Sequence, residues 1–420
     1  MGPILIFDKS SLQGLNIDEA GLLDHFYLSN ITPIFFIETL ADLEKEVRAG
    51  RTPEDVVGNL AFKTPDFHSK PNIHHRTLLE GELAGEASID MEFGRPHIGG
   101  GKSVELAGKM GVIFQQAPEE EALSRWHNHE FLQLERQRAK KWREGLSNIN
   151  FEDQYEFFQS FFPMGKPKTL ADVKRFVDFY IDGPDQERVL IFGLTLMGVS
   201  DKFLIEIGTR WRKSGKPSVK DFAPYFTHVF SIDLFFNLGI ASDLISRGRP
   251  SHKIDLAYLY YLPFCMVFTS NDKLHADIVP FFLRDNQSFV LGKDLKEDLI
   301  NLDKHYSALP EEVKNQGLIR FAPYPPQDDK FLITRLWDKH MSKKWRENAK
   351  EYRPPSGKVN DGLLEEMRRF EKEAKPIPPG TKINSDENAH MILSRKVLSK
   401  KGKWPRFPPE VLESIKKESD

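Results

Sequence analysis

The chain has 420 residues, with 59 Lys and Arg against 62 Asp and Glu, a formal net charge of −3, 40% apolar residues and 29% charged ones. These proportions belong to a globular chain of two or three folding units, and they exclude a disordered or fibrous protein. No apolar run reaches the roughly 20 residues of a membrane helix, the opening MGPILIFDKS lacks the basic flank of a secretory leader, and the lone Cys265 excludes an internal disulfide or a multi-cysteine zinc site. The expectation is a soluble cytoplasmic protein with no membrane partner. Residues 330–420 hold 22 Lys and Arg against 14 Asp and Glu, a net of +8 that leaves −11 on residues 1–329. A basic tail on an acidic body suits nucleic-acid contact or plain solubility.

Ile4-Leu5-Ile6-Phe7 reads as a short parallel strand buried on both faces. A helical stretch follows, with Ala20, Leu22, Leu23, Phe26 and Tyr27 facing inward. Pro33–Ile37 reads as a second strand leading into a helix over Leu40, Leu43 and Val47, so the first fifty residues predict a right-handed βαβ unit. Thr52-Pro53-Glu54-Asp55 has the cap hydroxyl, first-position proline and acidic first turn of a helix start. From Thr64 to Ala117 no period survives, and the stretch reads as a long irregular loop. Residues 118–246 read as helical. One long helix runs from Glu119–Glu121 to Arg138–Arg143, another starts at Thr169 with Asp172 as its box partner, and two apolar helices cover about 187–212 and 218–246. Ser251 is placed as the cap of a helix through Leu262, followed by a strand at Phe264–Thr269, a helix at Leu274–Leu283 and a strand at Ser288–Leu291. The last ninety residues read as helical pieces broken at Pro354-Pro355, Pro378-Pro379 and Pro408-Pro409.

Four carboxylates stand where α/β folds place their chemistry. Asp8 ends the first strand and Asp272 follows the strand at 264–269, while Glu38 and Asp255 open helices beside such strands. Each alone reads as a helix cap or a solvated loop residue. Together, at one sheet edge, they would raise one another's pKa values, a conflict that a hard divalent cation resolves through oxygen ligands.

Three segments carry a resemblance. IFDKSSL resembles the first strand of PIN-like nucleases, with an aspartate at the strand end and a hydroxyl residue, Ser10, two places on. IFFIETLADLEK resembles the second strand and acidic helix, pointing to Glu38, and KIDLAYLYYLPFCMVFTSNDKL resembles the closing helix and strand, pointing to Asp255 and to Ser270–Lys273. The resemblance implies a metal-dependent endonuclease hydrolysing phosphodiester bonds, RNA favoured over DNA, in which Asp8, Glu38, Asp255 and Asp272 bind Mg²⁺ or Mn²⁺. Ser10 and Asn271 would orient ligands or waters, and Lys9 and Lys273 would flank the site as phosphate contacts or plain surface residues. One departure is large: Glu38 and Asp255 lie 217 positions apart. The intervening segment must then be an insertion, and Asp233 within it is a second candidate for the third acid.

The implied fold is α/β: a PIN-like parallel sheet flanked by helices, built from residues 1–64 and 250–310. Residues 65–249 form an irregular loop plus a large, mainly α-helical insertion, and residues 330–420 form a basic, helical, proline-broken extension. Gly99-Gly100-Gly101-Lys102-Ser103 resembles a P-loop but has Pro96 where the leading glycine belongs, so a flexible loop is the better account. His68, His74, His75, His97, His127 and His129 crowd one region, and a zinc site would need three or four of them to converge. Lys343-Lys344-Trp345-Arg346 and Lys400-Lys401-Gly402-Lys403-Trp404-Pro405-Arg406 interleave cations with tryptophan, which suits phosphate contact and base stacking or a protein-docking tail. The competing readings are a non-catalytic interaction protein that works through the helical insertion and a nucleotide-binding enzyme built around Lys102.

Overall fold

The computed structural model describes residues 2–412 apart from 49, 107, 115–116, 148–151, 163–164, 354–368, 371, 379–388 and 394–396. Strand β1 (Ile4–Phe7) forms as expected, with all four residues buried, and is followed by helices α1 (Lys9–Gln13) and α2 (Ile17–Phe26). Strand β2 is Leu28–Ile31, not Pro33–Ile37; the latter run opens helix α3 (Pro33–Arg48). Proline is at home in a first helical turn, and Ile34 packs into one core while Phe35 and Phe36 pack into another. A first helical turn wedged between two cores is apolar on every side, which in sequence looks like a buried strand. Helix α4 (Pro53–Lys63) begins as expected, with Thr52 Oγ1 accepting the Asp55 N–H at 3.1 Å.

The stretch expected to be irregular is ordered. It contains strand β3 (Ser69–Pro71), helix α5 (His75–Ala84) and a hairpin of β4 (Gly101–Leu106) and β5 (Lys109–Phe114). Lys102 therefore lies within a strand, paired in register with Ile113, and no phosphate-cradling loop precedes a helix there. The single helix expected from 119 to 143 is two, α6 (Pro118–His127) and α7 (Gln133–Ser147), separated by a turn with His129 at φ 56°. Helices α8 (Glu152–Gln159) and α9 (Leu170–Ile181) follow, the latter with the Thr169–Asp172 capping box. The apolar stretch at 187–212 divides into α10 (Gln186–Leu196) and α11 (Asp201–Lys213) because Gly198 turns the chain at φ 70°. Residues 218–246 divide into α12 (Val219–Phe222) and α13 (Pro224–Ala241), with Pro224 restarting the helix.

Helix α14 (His252–Tyr258) starts without a side-chain bond from Ser251 and tightens into a 3₁₀ turn at Leu259–Phe264. Strand β6 (Val267–Ser270) lies slightly later than expected, and helix α15 (Lys273–Ile278) precedes strand β7 (Ser288–Leu291), which falls where the sequence placed it. Helices α16 (Gly292–Ser307), α17 (Glu311–Lys314), α18 (Leu318–Phe321), α19 (Leu332–His340) and α20 (Trp345–Glu351) complete the helical part. Strands β8 (Lys375–Pro376) and β9 (Ala389–Leu393) flank the β4–β5 hairpin, and β10 (Lys400–Lys401) pairs with β11 (Trp404–Pro405). Pro354-Pro355 and Pro379 lie outside the described residues.

The main sheet has the order β3-β2-β1-β6-β7 and every pair in it is parallel, so all five carboxyl ends share one edge. From β1 the chain works outward to β2 and β3, then crosses to the other side of β1 and works outward again through β6 and β7. The direction of winding thus reverses between β1 and β6, and a crevice opens at such a point. Alternate residues of β1 feed opposite faces. Ile4 and Ile6 join a core with α9, α10, α11 and α13, whereas Leu5 and Phe7 join one with α2, α16 and α19. The helices of 152–241 are therefore a covering layer of the sheet itself.

The two basic clusters of the tail that the structure describes are built into the same fold. Trp345 is 3% exposed and donates to Asp338 Oδ1 at 3.0 Å, which also accepts from Arg346 Nε at 2.8 Å. Lys401, Trp404 and Arg406 are 1–2% exposed. Lys401 and Arg406 bond Asp66 and lie against Asp24, and Trp404 donates to Asp303. Neither tryptophan presents a face on which a base could stack, so the expected stacking tail is instead a clamp on the sheet domain.

Candidate active site at the carboxyl edge of the sheet

The four expected acids gather where the winding reverses. Asp8 leaves β1 and caps α1, with Oδ1 accepting the Ser11 N–H at 2.8 Å and Oδ2 accepting the hydroxyls of Ser10 at 2.8 Å and Ser270 at 2.7 Å. Asp272 leaves β6 and caps α15 through the Leu274 N–H at 2.6 Å. Both residues are thus structural caps as well as members of the acid group. Glu38 sits more than one turn into α3, and its Oε2 accepts the Tyr258 hydroxyl at 2.7 Å. Asp255 occupies the first turn of α14.

Electrostatics join them. Burial pushes the Asp255 carboxyl up to about 8, and the charges of Asp272, Glu38, Asp8 and Asp42 act in the same direction. Glu38 is pushed up to about 7, again first by burial; Lys9 and the Tyr258 hydroxyl oppose the rise while Asp8 and Asp42 add to it. Lys9 is not a surface residue: it is 4% exposed, ion-paired with Asp42 and 3.8 Å from Glu38 Oε1. This buried cation thus faces Asp42 and Glu38, and no Lys or Arg acts on Asp255 in the same way.

Asp233 does not belong to the group. It bonds Lys253 Nζ at 2.9 Å and the Tyr260 hydroxyl on another wall of the molecule, and it is not among the charges that raise Asp255 or Glu38. Of the suggested helpers, Ser10 does touch Asp8, while Asn271 and Lys273 are exposed. A Cβ on Gly292 would stand 2.6 Å from Ser11 Oγ and 2.7 Å from Asn271 Nδ2, so the backbone after β7 packs against those after β1 and β6.

Two contributors, Asp42 and His275, escaped the sequence, and Ser270 entered it only as part of the strand-end segment. Asp42 lies four residues after Glu38, a spacing that puts both on one helix face and was legible in principle. His275 was not: it is 1% exposed, shares a 2.7 Å hydrogen bond with Ser270 Oγ, donates from Nε2 to the Asp255 carbonyl at 2.6 Å and lies 3.8 Å from Asp8 Oδ2. It ties the ends of β1 and β6 to α14, a juxtaposition that exists only once the strands pair.

The donor set, carboxylate oxygens with surplus negative charge, suits a hard divalent cation. As the side chains stand, no group of three or more His, Cys, Asp or Glu among the described residues is arranged to hold a metal ion, and this includes the six histidines of 68–129. Also among the described residues, no helix is long and apolar enough to cross a membrane. No protein-family model matches the chain, and neither a curated protein nor a solved structure matches it significantly.

Proposed function

We propose that the protein is a metal-dependent nuclease of PIN-like type, acting on phosphodiester bonds with RNA favoured over DNA. The observation that carries the reading is the coupling of Asp255 and Glu38 to Asp8, Asp272 and Asp42 at the winding reversal, with the buried Lys9 balancing only Asp42 and Glu38. Excess negative charge held partly buried is costly without a cation, and sites with displaced carboxyl pKa values are functional-site candidates on that ground. Asp8, Glu38, Asp255 and Asp272 would hold Mg²⁺ or Mn²⁺, which when bound supplies Lewis acidity and lowers the pKa of bound water. The chain's own part is positional. Ser10, Ser11 and Ser270 fix the Asp8 carboxylate, Tyr258 fixes Glu38, and His275 holds the Asp255 backbone against the end of β6. A carboxyl of Asp255 or Glu38 left ionised beside the scissile phosphate can accept a proton near neutral pH.

The test is cleavage of mixed RNA and DNA with and without Mn²⁺, beside thermal melts of parent and Asp255→Asn. The parent should cleave only with metal and gain melting temperature from Mn²⁺, because a ligand bound by the folded state alone stabilises it. Asp255→Asn should lose both. A variant that kept its cleavage and its metal-induced shift would sink the proposal.

A further inference from the structure

The central strands of the main sheet end alike, but the helices after them do not begin alike. Phe7 is paired with Thr269 and Ser270 with Leu291, so β1, β6 and β7 reach one level at the carboxyl edge. Asp8 then caps α1 and Asp272 caps α15, each with its own carboxylate. Helix α16 instead follows Leu291, whose side chain cannot accept a hydrogen bond, so the N–H groups in the first turn of this 16-residue helix have no side-chain cap. A second observation falls at the same spot. Ser11 is 5% exposed, and its hydroxyl is buried with no hydrogen-bond partner among the described residues. It is aimed at the start of α16: Oγ stands 2.6 Å from where a Cβ of Gly292 would lie, and Asn271 Nδ2 stands 2.7 Å from the same point. An unpaired buried hydroxyl is costly, and a ligand that accepts from it removes the cost.

The exposed charges that follow these strands are Lys273 and Lys293 against Asp294 and, a turn further on, Glu297, so the spot is defined by hydrogen-bond donors and not by net charge. First-turn N–H groups, a hydroxyl and a side-chain amide N–H, all donors, meet at the positive end of a helix, which is the chemistry of an oxyanion seat. We propose that the start of α16, with Ser11 and Asn271, seats a backbone phosphate of the nucleic acid beside the one that is cleaved. Neighbouring strands lie roughly 4.8 Å apart, so the seat stands about one strand width from the end of β6 and two from the end of β1. A chain whose scissile phosphate lies at the acids therefore runs across it. The assignment rests on the nuclease reading and adds to it a point at which the substrate backbone, and not a base, is gripped.

The probes are inorganic phosphate, a 12-residue RNA and the uncharged methylphosphonate analogue of that RNA, all in EDTA so that nothing is cleaved. The readout is the backbone amide signal of Lys293 in the full chain labelled with 15N-lysine, identified by its loss in Lys293→Arg, with Lys304 in the last turn of α16 as reference. Inorganic phosphate and the RNA should each shift the Lys293 signal saturably and leave Lys304 in place, and the methylphosphonate should shift neither. By fluorescence anisotropy of the labelled RNA, Ser11→Ala should weaken binding by at least about 10-fold, the worth of a hydrogen bond to a charged group, and leave the salt dependence unchanged. Lys293→Ala should weaken it by about 3-fold and reduce the slope of log K against log salt by about 0.7, the value for one lost phosphate contact on a single strand. Because the Ser11 hydroxyl is unpartnered in the free protein, Ser11→Ala without phosphate should melt at the parent's temperature or above it. The proposal is overturned if the Lys293 signal ignores both charged probes, if it answers inorganic phosphate alone, if the methylphosphonate shifts it equally, if both variants bind RNA like the parent, or if Ser11→Ala melts lower. Failure of the nuclease reading is a different result: Asp255→Asn would keep metal-dependent cleavage, whatever the Lys293 signal does in EDTA.

Discussion

Two of the places where this molecule buries carboxylates settle the charge in different ways. At the clamp, Asp24 is fully buried but accepts the backbone N–H groups of Asp66, Phe67 and His68 at 3.0–3.1 Å and lies against Lys401 and Arg406. For Asp66, burial works against ionisation, yet the Arg406 hydrogen bonds and Lys401 outweigh it and hold the carboxyl well below the usual range. At the sheet edge, Lys9 serves only Asp42 and Glu38 of five acids, and both Glu38 and Asp255 are pushed up, as burial also pushes Asp24 with no second acid of the clamp following it. Equal numbers of buried acids and bases make a fastening; a surplus of acids makes a place for a cation.

The largest effect should come from unfastening the clamp. Arg406→Ala leaves Asp24 buried with only Lys401 near it, at 3.7 Å, and breaking a buried pair in this way costs on the order of 3–5 kcal/mol. Chemical denaturation at pH 7 checks it, and a loss under 1 kcal/mol would show that the clamp is ornamental. Deleting residues 397–412 should for the same reason lower stability rather than merely strip a basic tail.

The second effect is a contrast in pH dependence. The folded-state pKa values of Glu38 and Asp255 lie above the unfolded values near 4, so between about pH 4 and 8 the folded protein binds more protons than the unfolded chain. The metal-free protein should therefore lose stability as pH rises through this window, on the order of 2 kcal/mol between pH 5 and 8. Asp66 runs the other way: its contribution is fully present above pH 4 and is lost as pH falls below it. Denaturation midpoints from pH 3 to 8 should pass through a maximum near pH 5, and a flat profile would remove the contrast.

Asp255→Asn sharpens the same point. It removes one repelling charge at nearly constant volume, so without metal it should stabilise the protein by about 1 kcal/mol at pH 8 and leave it little changed at pH 5. Melting curves at the two pH values decide this, and equal shifts at both would mean that repulsion is not the cause. Tyr258→Phe should be the smallest change. It removes the hydroxyl that Glu38 accepts, costs about 0.5–1.5 kcal/mol and moves the pH-dependent loss of stability upward, because Glu38 loses a bond that favours its charged form. An unshifted profile would place Glu38 outside the coupled group.

By itself the sequence determined what is local. β1 and β7 were legible as short buried runs, and the Thr52 and Thr169 helix starts were legible because a cap and its partner lie three residues apart. Asp8, Glu38, Asp255 and Asp272 could be named because strand ends and helix starts mark themselves by residue type. Only the tertiary structure decided the rest. It made Pro33–Ile37 a helix, since an element wedged between two cores loses the periodicity that identifies it. It drew β3 out of a Gly- and His-rich stretch, since three residues on a sheet edge carry no pattern of their own. It turned the Lys-Trp-Arg tail inward, since Asp24, Asp66 and Asp303, the acids that bind it, lie 100 or more residues earlier in the chain. Charge partners so far apart in sequence are set by packing, and no local reading of cations and tryptophans can tell a clamp from a ligand-binding arm.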